Sequence, residues 1–274
     1  MDRGSQRKAY VDLTSGIRAS EEWHPSYRSD RQSFRELVRQ EAELQAAAGE
    51  YLFELSDRVH TYVDWSVYNA ELATLPKVTA ASKPDPVRPA SDEAWRAEAL
   101  DFTRYVIDII NVIALIGVDA AIKRYANEST VVSGDLLDLV TEQAEKHVGT
   151  LVTAVTDTTR EKIRLAIAQS LRRGETSSQA MLRLRDVINS PVRAEMIAQT
   201  ESVNAYSLGQ YEYAKDVGFT KKTWESLAGA CPKKCLSADG QTVDIEDDFI
   251  LGDGSTVKLP SGHTRCRCGV YFHD

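Results

Sequence analysis

From Phe34 onward the apolar residues recur at helical spacing. Phe34, Leu37, Leu44, Tyr51, Leu55, Val59 and Tyr62 fall on one stripe. That stripe predicts a long amphipathic helix, continuous or broken, ending near Leu75. Ser33-Phe34-Arg35-Glu36 reads as its capping box, a hydroxyl and a carboxylate each satisfying an orphan N–H. Residues 1–30 are polar without a sustained period, and an extended or disordered arm is expected there. Residues 76–90 carry Pro76, Pro84, Pro86 and Pro89 and predict a linker or extended loop. Ser91 then caps a second helix, with Asp92 and Glu93 in a first turn that favours negative charge, running to about Asn127.

Gly134-Asp135 opens a third helical region. Ile163, Ile167 and Leu171 form its later stripe, and Gly174 supplies a C-terminal stop. Thr176-Ser-Ser-Gln179 is a further capping box, followed by a buried face of Ala180, Met181, Leu184, Val187 and Ile188. Pro191, tolerated at a first helical position, starts another helix that lasts to about Val217 and halts at Gly218. Beyond it the period changes. Lys222–Leu227 alternates like a strand, Asp239-Gly240 and Gly252-Asp-Gly254 are turn signals, and Thr256–Leu259 and Cys268–Phe272 read as short strands. The expected class is α+β, mainly α: an extended helical body over 31–145 and 146–218, then a small β-rich module over 219–274.

Composition narrows the partners. The chain has 274 residues and a formal net charge of −8, which disfavours a general nucleic-acid coat, since phosphate binding needs clustered Lys and Arg. The opening stretch has no apolar core of a signal peptide, so secretion is not expected. Residues 105–122 are apolar enough to raise a membrane span, but Asp108, Asn111 and Asp119 interrupt them. An ionised Asp near a bilayer centre costs about 2.5–3.5 kcal/mol, so a buried bundle helix is expected and no membrane partner.

All four cysteines lie near the C-terminal end, as Cys231-Pro-Lys-Lys-Cys235 and then His263-Thr-Arg-Cys266-Arg-Cys268. Two soft ligands on a tight knuckle followed by a second tight group is the pattern of a structural zinc site. A small module has a thin core, and a tetrahedral ion staples distant loops together. Five candidates compete for four places: Cys231, Cys235, His263 and one of Cys266 or Cys268. Two disulfides or plain reduced thiols are the other readings, the first disfavoured where no oxidising compartment is indicated. Four protein ligands leave no open position for water, which points to a structural rather than a catalytic metal.

The ordered set of motifs resembles the phage head-morphogenesis family, the Mu F-like minor head proteins. Thr158-Thr159-Arg160-Glu161 comes first, then a helix ending at Gly174. Arg193-Ala-Glu-x-Ile-Ala-x-Thr200-Glu201 follows, and then a Trp224 strand, the Cys231-Pro232 knuckle, the Leu236–Gly240 turn and the His263-x-x-Cys266-Arg-Cys268 ending. The resemblance covers roughly residues 150–272 and none of the first 150. It implies a minor head protein of a tailed phage, in the virion near the portal or the capsid interior and in the host cytoplasm during assembly. The implied partners are the portal or the major capsid protein, with contact to packaged DNA a further option. Carried over by position, the implied ligands of a structural Zn2+ are Cys231, Cys235, His263 and Cys266, with Cys268 the alternative fourth. The chain departs from the family in spacing its first pair by three residues and in having Thr264 after the histidine.

No catalytic residue is expected. His24, His60, His147 and His273 form no Ser-His-Asp or His-x-x-x-His pattern, and no phosphate loop is present. Glu201 sits in an apolar stripe with Ile197, Asn204 and Leu208; a structural role is expected, bonding backbone N–H groups or capping a turn, with Arg193 as a candidate partner. Basic residues outnumber acidic ones over 160–195, a face expected to be solvated. A zinc-stabilised nucleic-acid-binding module and a toxin-like enzyme fused to a head-morphogenesis module are the alternative functions.

Overall fold

The computed structural model of the chain describes residues 23–74, 85–127 and 130–274. The first apolar stripe forms α1 (Arg31–Arg58) and α2 (Trp65–Thr74), separated by a 3-10 turn over Val59–Tyr62. Leu37, Leu44, Tyr51, Leu55, Val59 and Tyr62 are buried, each large apolar side chain contributing about 1.5–3 kcal/mol. The cap differs from expectation. Asp30 caps α1, its carboxylate accepting the Ser33 N–H at 2.6 Å, while the Ser33 hydroxyl donates to Asp119 at 2.7 Å. The serine is therefore spent on a contact between helices, and the aspartate meets the positive helix end.

Residues 23–30 are folded and correct the arm expected there: Pro25–Arg28 is a 3-10 turn, and Trp23 and Tyr27 are buried. Residues 1–22 of that arm and 76–84 of the expected linker lie outside the described residues. The linker's remainder is extended, with the Asp64 N–H donating to the Pro86 carbonyl and the Arg88 N–H to that of Tyr62.

α3 (Glu93–Tyr125) starts from Asp92, whose carboxylate accepts the Ala94 N–H. Among the described residues it is the one helix long and apolar enough to cross a membrane. Here it is the centre of a bundle. α1, α4 (Leu136–Arg172) and α6 (Pro191–Asp216) pack against it, and Phe102, Val106, Ile110 and Ile113 are fully buried. Asp108 and Asp119 face outward. α5 (Ser177–Ile188) carries the expected Thr176–Gln179 capping box, and Gly174 takes φ 66° after α4. Ser190 caps α6 with Pro191 at its first position.

Two glycines set the approach of α3 to α6. A Cβ on Gly117 would stand 2.2 Å from the Tyr206 carbonyl oxygen, and one on Gly209 would stand 1.9 Å from that of Ala114. At the other end of the bundle Glu98 is buried between helices. It accepts bonds from Tyr51, Tyr62 and both Arg58 Nε and a terminal nitrogen, at 2.6–3.1 Å. These partners satisfy a carboxylate that would otherwise be costly to bury.

The chain ends in the β-rich module. β1 (Lys221–Glu225) lies between β2 (Thr242–Asp244) and β5 (Gly269–His273) in an antiparallel sheet, and β3 (Phe249–Ile250) pairs with β4 (Thr256–Val257). The protein is thus mainly α with a small β-rich C-terminal module. Alternation turns Trp224 and Lys222 inward. The Lys222 amine donates to the Lys258 carbonyl at 2.8 Å over the rings of Tyr211 and Phe249.

Gly117→Ala or Gly209→Ala is expected to cost about 1–3 kcal/mol or more, because a backbone must move. Gly149→Ala, in exposed helix with open space around it, is expected to add about 0.5–1 kcal/mol. Urea denaturation of the three variants checks the contrast. Asp30 gives a pH signature. The Ser33 backbone N–H first, with Lys123 behind it, lowers the carboxyl from 3.8 to about 2. A lowered carboxyl stabilises the fold above its ordinary value and loses that contribution as pH falls through the folded one. Asp30→Ala is expected to cost about 1 kcal/mol at neutral pH, with the gap to the parent closing between about pH 4 and pH 2 in thermal melts.

Candidate metal centre

The first knuckle follows β1 as a tight coil. The Cys231 carbonyl accepts the N–H groups of Lys234, Cys235 and Leu236, and the Ser226 hydroxyl donates to the Cys235 carbonyl at 2.8 Å. The loop between β3 and β4 braces it from outside. The Gly252 N–H donates to the Lys234 carbonyl at 3.1 Å, and a Cβ there would stand 2.2 Å from the Ser237 hydroxyl. Lys234 pairs with Asp253 at 2.9 Å. Cys235 is fully buried by this arrangement, whereas Cys231 is half-buried.

The second loop precedes β5. The Cys266 N–H donates to the His263 carbonyl at 3.0 Å, closing a turn in which Arg265 takes φ 63°. One ligand atom each from Cys235, His263 and Cys266 lies within 4.8 Å of the other two. The Cys235 and Cys266 sulfurs are 3.7 Å apart. Two sulfurs at about 2.3 Å from one ion, at the tetrahedral angle, stand about 3.8 Å apart, so the spacing fits a shared zinc. His263 Nδ1 is 2.8 Å from the Thr264 carbonyl. A carbonyl only accepts, so Nδ1 is the donor there and Nε2 is the ring nitrogen left for an ion. These three residues can hold a metal ion.

Cys268 adjoins the group; its thiol interacts with those of Cys235 and Cys266. Cys231 packs at the edge of the same core, outside the three-residue group. Crowding shapes the thiol chemistry. Cys266 is held well below the usual thiol range by Cys235 and then Cys268 donating to it, and the same contacts push Cys235 up.

Residues 161–271 match the family model described as Phage Mu protein F like protein. This part of the chain is similar to the Phage Mu F-like family. The match runs from within α4 to β5 and contains every residue of the cluster. No curated protein and no solved structure matches the chain.

Within the Mu F-like region, α6 holds the second loop, through residues that sequence reasoning did not assign to the site. The Thr200 hydroxyl oxygen accepts the Arg265 N–H at 3.1 Å. Asn204 Oδ1 accepts both the N–H and the hydroxyl of Ser261, each at 2.9 Å, and Glu195 pairs with Arg265 at 3.2 Å. Glu201 was expected to bond backbone N–H groups or cap a turn. It instead meets His147 at 2.7 Å and accepts from the Asn204 amide at 3.0 Å, fixing which way that amide points. Arg193 donates to the Val155 carbonyl and the Thr159 hydroxyl. The spacing of Thr200, Glu201 and Asn204 along one helix was visible in the sequence; the loop they grip was not.

Thr200→Val and Asn204→Ala each remove an acceptor for the loop. Each is expected to weaken retention of a bound divalent ion by about 10-fold or more, in the manner of outer-shell substitutions. Thr200→Ser keeps the acceptor and is expected to restore it. Competition with a chromophoric chelator measures the effect.

Proposed function

We propose that this chain is a non-enzymatic minor head protein of a tailed phage, bound near the portal or on the capsid interior and acting in head assembly. The observation that carries it is the Mu F-like match over residues 161–271, with the cysteine and histidine cluster inside it. The cluster takes a structural zinc through Cys235, His263, Cys266 and a fourth thiol. Cys268 is favoured as the fourth because it is buried in the same core as Cys235 and Cys266, whereas Cys231 is half-buried at its edge; Cys231 is the alternative. With four protein donors the ion has no place for a reacting water, which supports a staple rather than a reaction centre.

The basic face over 160–195 supports a protein partner over DNA. Arg160 pairs with Asp157, Arg164 with Asp85, Arg183 with Glu175 and Arg185 with Asp57. Charges neutralised within the chain release few counterions on DNA, so a weak salt dependence of any DNA binding is expected.

The test is quantitative mass spectrometry of virions and procapsids purified from an induced host, with portal pull-down beside it. A few copies per particle and recovery with portal or capsid protein are expected; absence from both kinds of particle would sink the proposal. Elemental analysis of the purified chain is expected to show about one zinc, lost in Cys235→Ser and Cys266→Ser. Retention in Cys231→Ser with loss in Cys268→Ser would establish the fourth ligand, and the reverse would assign it to Cys231.

A further inference from the structure

The two ends of the chain meet at the metal loop. Cys266 turns its thiol into the cluster, Cys268 is buried close by, and Arg267 between them points the other way. Its guanidinium makes a two-pronged pair with the Glu41 carboxylate of α1, at 2.6 and 2.7 Å, with both side chains buried. It also lies 3.8 Å from the centre of the fully buried Trp23 ring. Residues 23–29 then cap the loop's own backbone. The His24 N–H donates to the Arg267 carbonyl at 3.3 Å, and the Tyr27 hydroxyl to the Cys268 carbonyl at 2.9 Å. Gly269 lets them in, since a Cβ there would stand 2.6 Å from the Ser26 hydroxyl and 3.0 Å from His24 Nδ1.

We propose that residues 23–29 are a latch whose closure is coupled to metal binding: an ion held by Cys235, His263 and Cys266 fixes the 266–268 backbone in the shape that receives Trp23, His24 and Tyr27. The proposal rests on the metal reading above. The 266–268 segment presents the Cys266 ligand on one side and the latch's seat on the other, so a loop slackened by metal loss cannot keep both carbonyls and the guanidinium in place. The middle of α3 packs against α1, α4 and α6 and not against this loop, so its protection stays unchanged when the latch opens. Coupling of this kind is reciprocal, so weakening the latch weakens the metal by the same factor.

Hydrogen exchange of the full chain, with mass-spectrometric readout, tests it on zinc-loaded protein and on protein stripped by a chelator. Metal content is measured on both samples. The peptides over 23–30 are expected to exchange roughly tenfold faster once the zinc is gone, while those over 102–118 keep their rate. Trp23→Leu, assayed by chelator competition, is expected to lose zinc affinity by roughly the same tenfold, and Trp23→Phe to lose less. Equal exchange over 23–30 with and without measured zinc would overturn the latch and leave the metal reading standing. Unchanged zinc affinity in Trp23→Leu would overturn it equally. If the chain as purified and after zinc addition carries no metal, both fall together.

Discussion

A guanidinium buried between a carboxylate and an indole joins the end of this chain to its beginning. Arg267, Glu41 and Trp23 lie far apart in sequence and stack with almost no exposure. Breaking such a pair by removing one member leaves an uncompensated buried charge, at about 3–5 kcal/mol. The β-rich module needs that anchor, because five short strands enclose little core of their own. On its other side α6 grips the loop through Thr200 and Asn204. The loop that carries His263, Cys266 and Cys268 is therefore held from two directions by the helical body, and the module is a face of the bundle as much as a separate unit.

The helical part of this arrangement was legible because its signals are local. Pro191 behind Ser190, Gly174 at a left-handed C-terminus and the Thr176–Gln179 box each act within a turn of chain, and each appears where the sequence placed it. Where a residue had two uses, local grammar failed. Ser33 looks like a cap, but its hydroxyl serves Asp119 on another helix, and Asp30 takes the cap. Trp23 and Tyr27 were assigned to an arm because two aromatics around a proline make no period; their burial comes from Arg267 and Tyr206, far along the chain. Strands β2 and β3 are too short to show an alternation.

The candidate site divides in the same way. Soft ligands in two tight groups were readable from spacing, and Cys235, His263 and Cys266 do come together. Their support was not readable. Nothing in the order of residues says that Asn204 receives Ser261, that His147 orients Glu201, or that a glycine lets the Gly252 loop brace the knuckle. The choice between Cys231 and Cys268 also turns on three-dimensional placement, because both sit at plausible distances along the chain.

The central claim is that three thiolates and one imidazole of this chain close around a single ion. X-ray absorption at the zinc edge of the purified chain tests it directly. The account predicts a first shell of three sulfurs at about 2.3 Å and one nitrogen at about 2.0–2.1 Å. A shell dominated by oxygen, or one with fewer than three sulfurs, would contradict it.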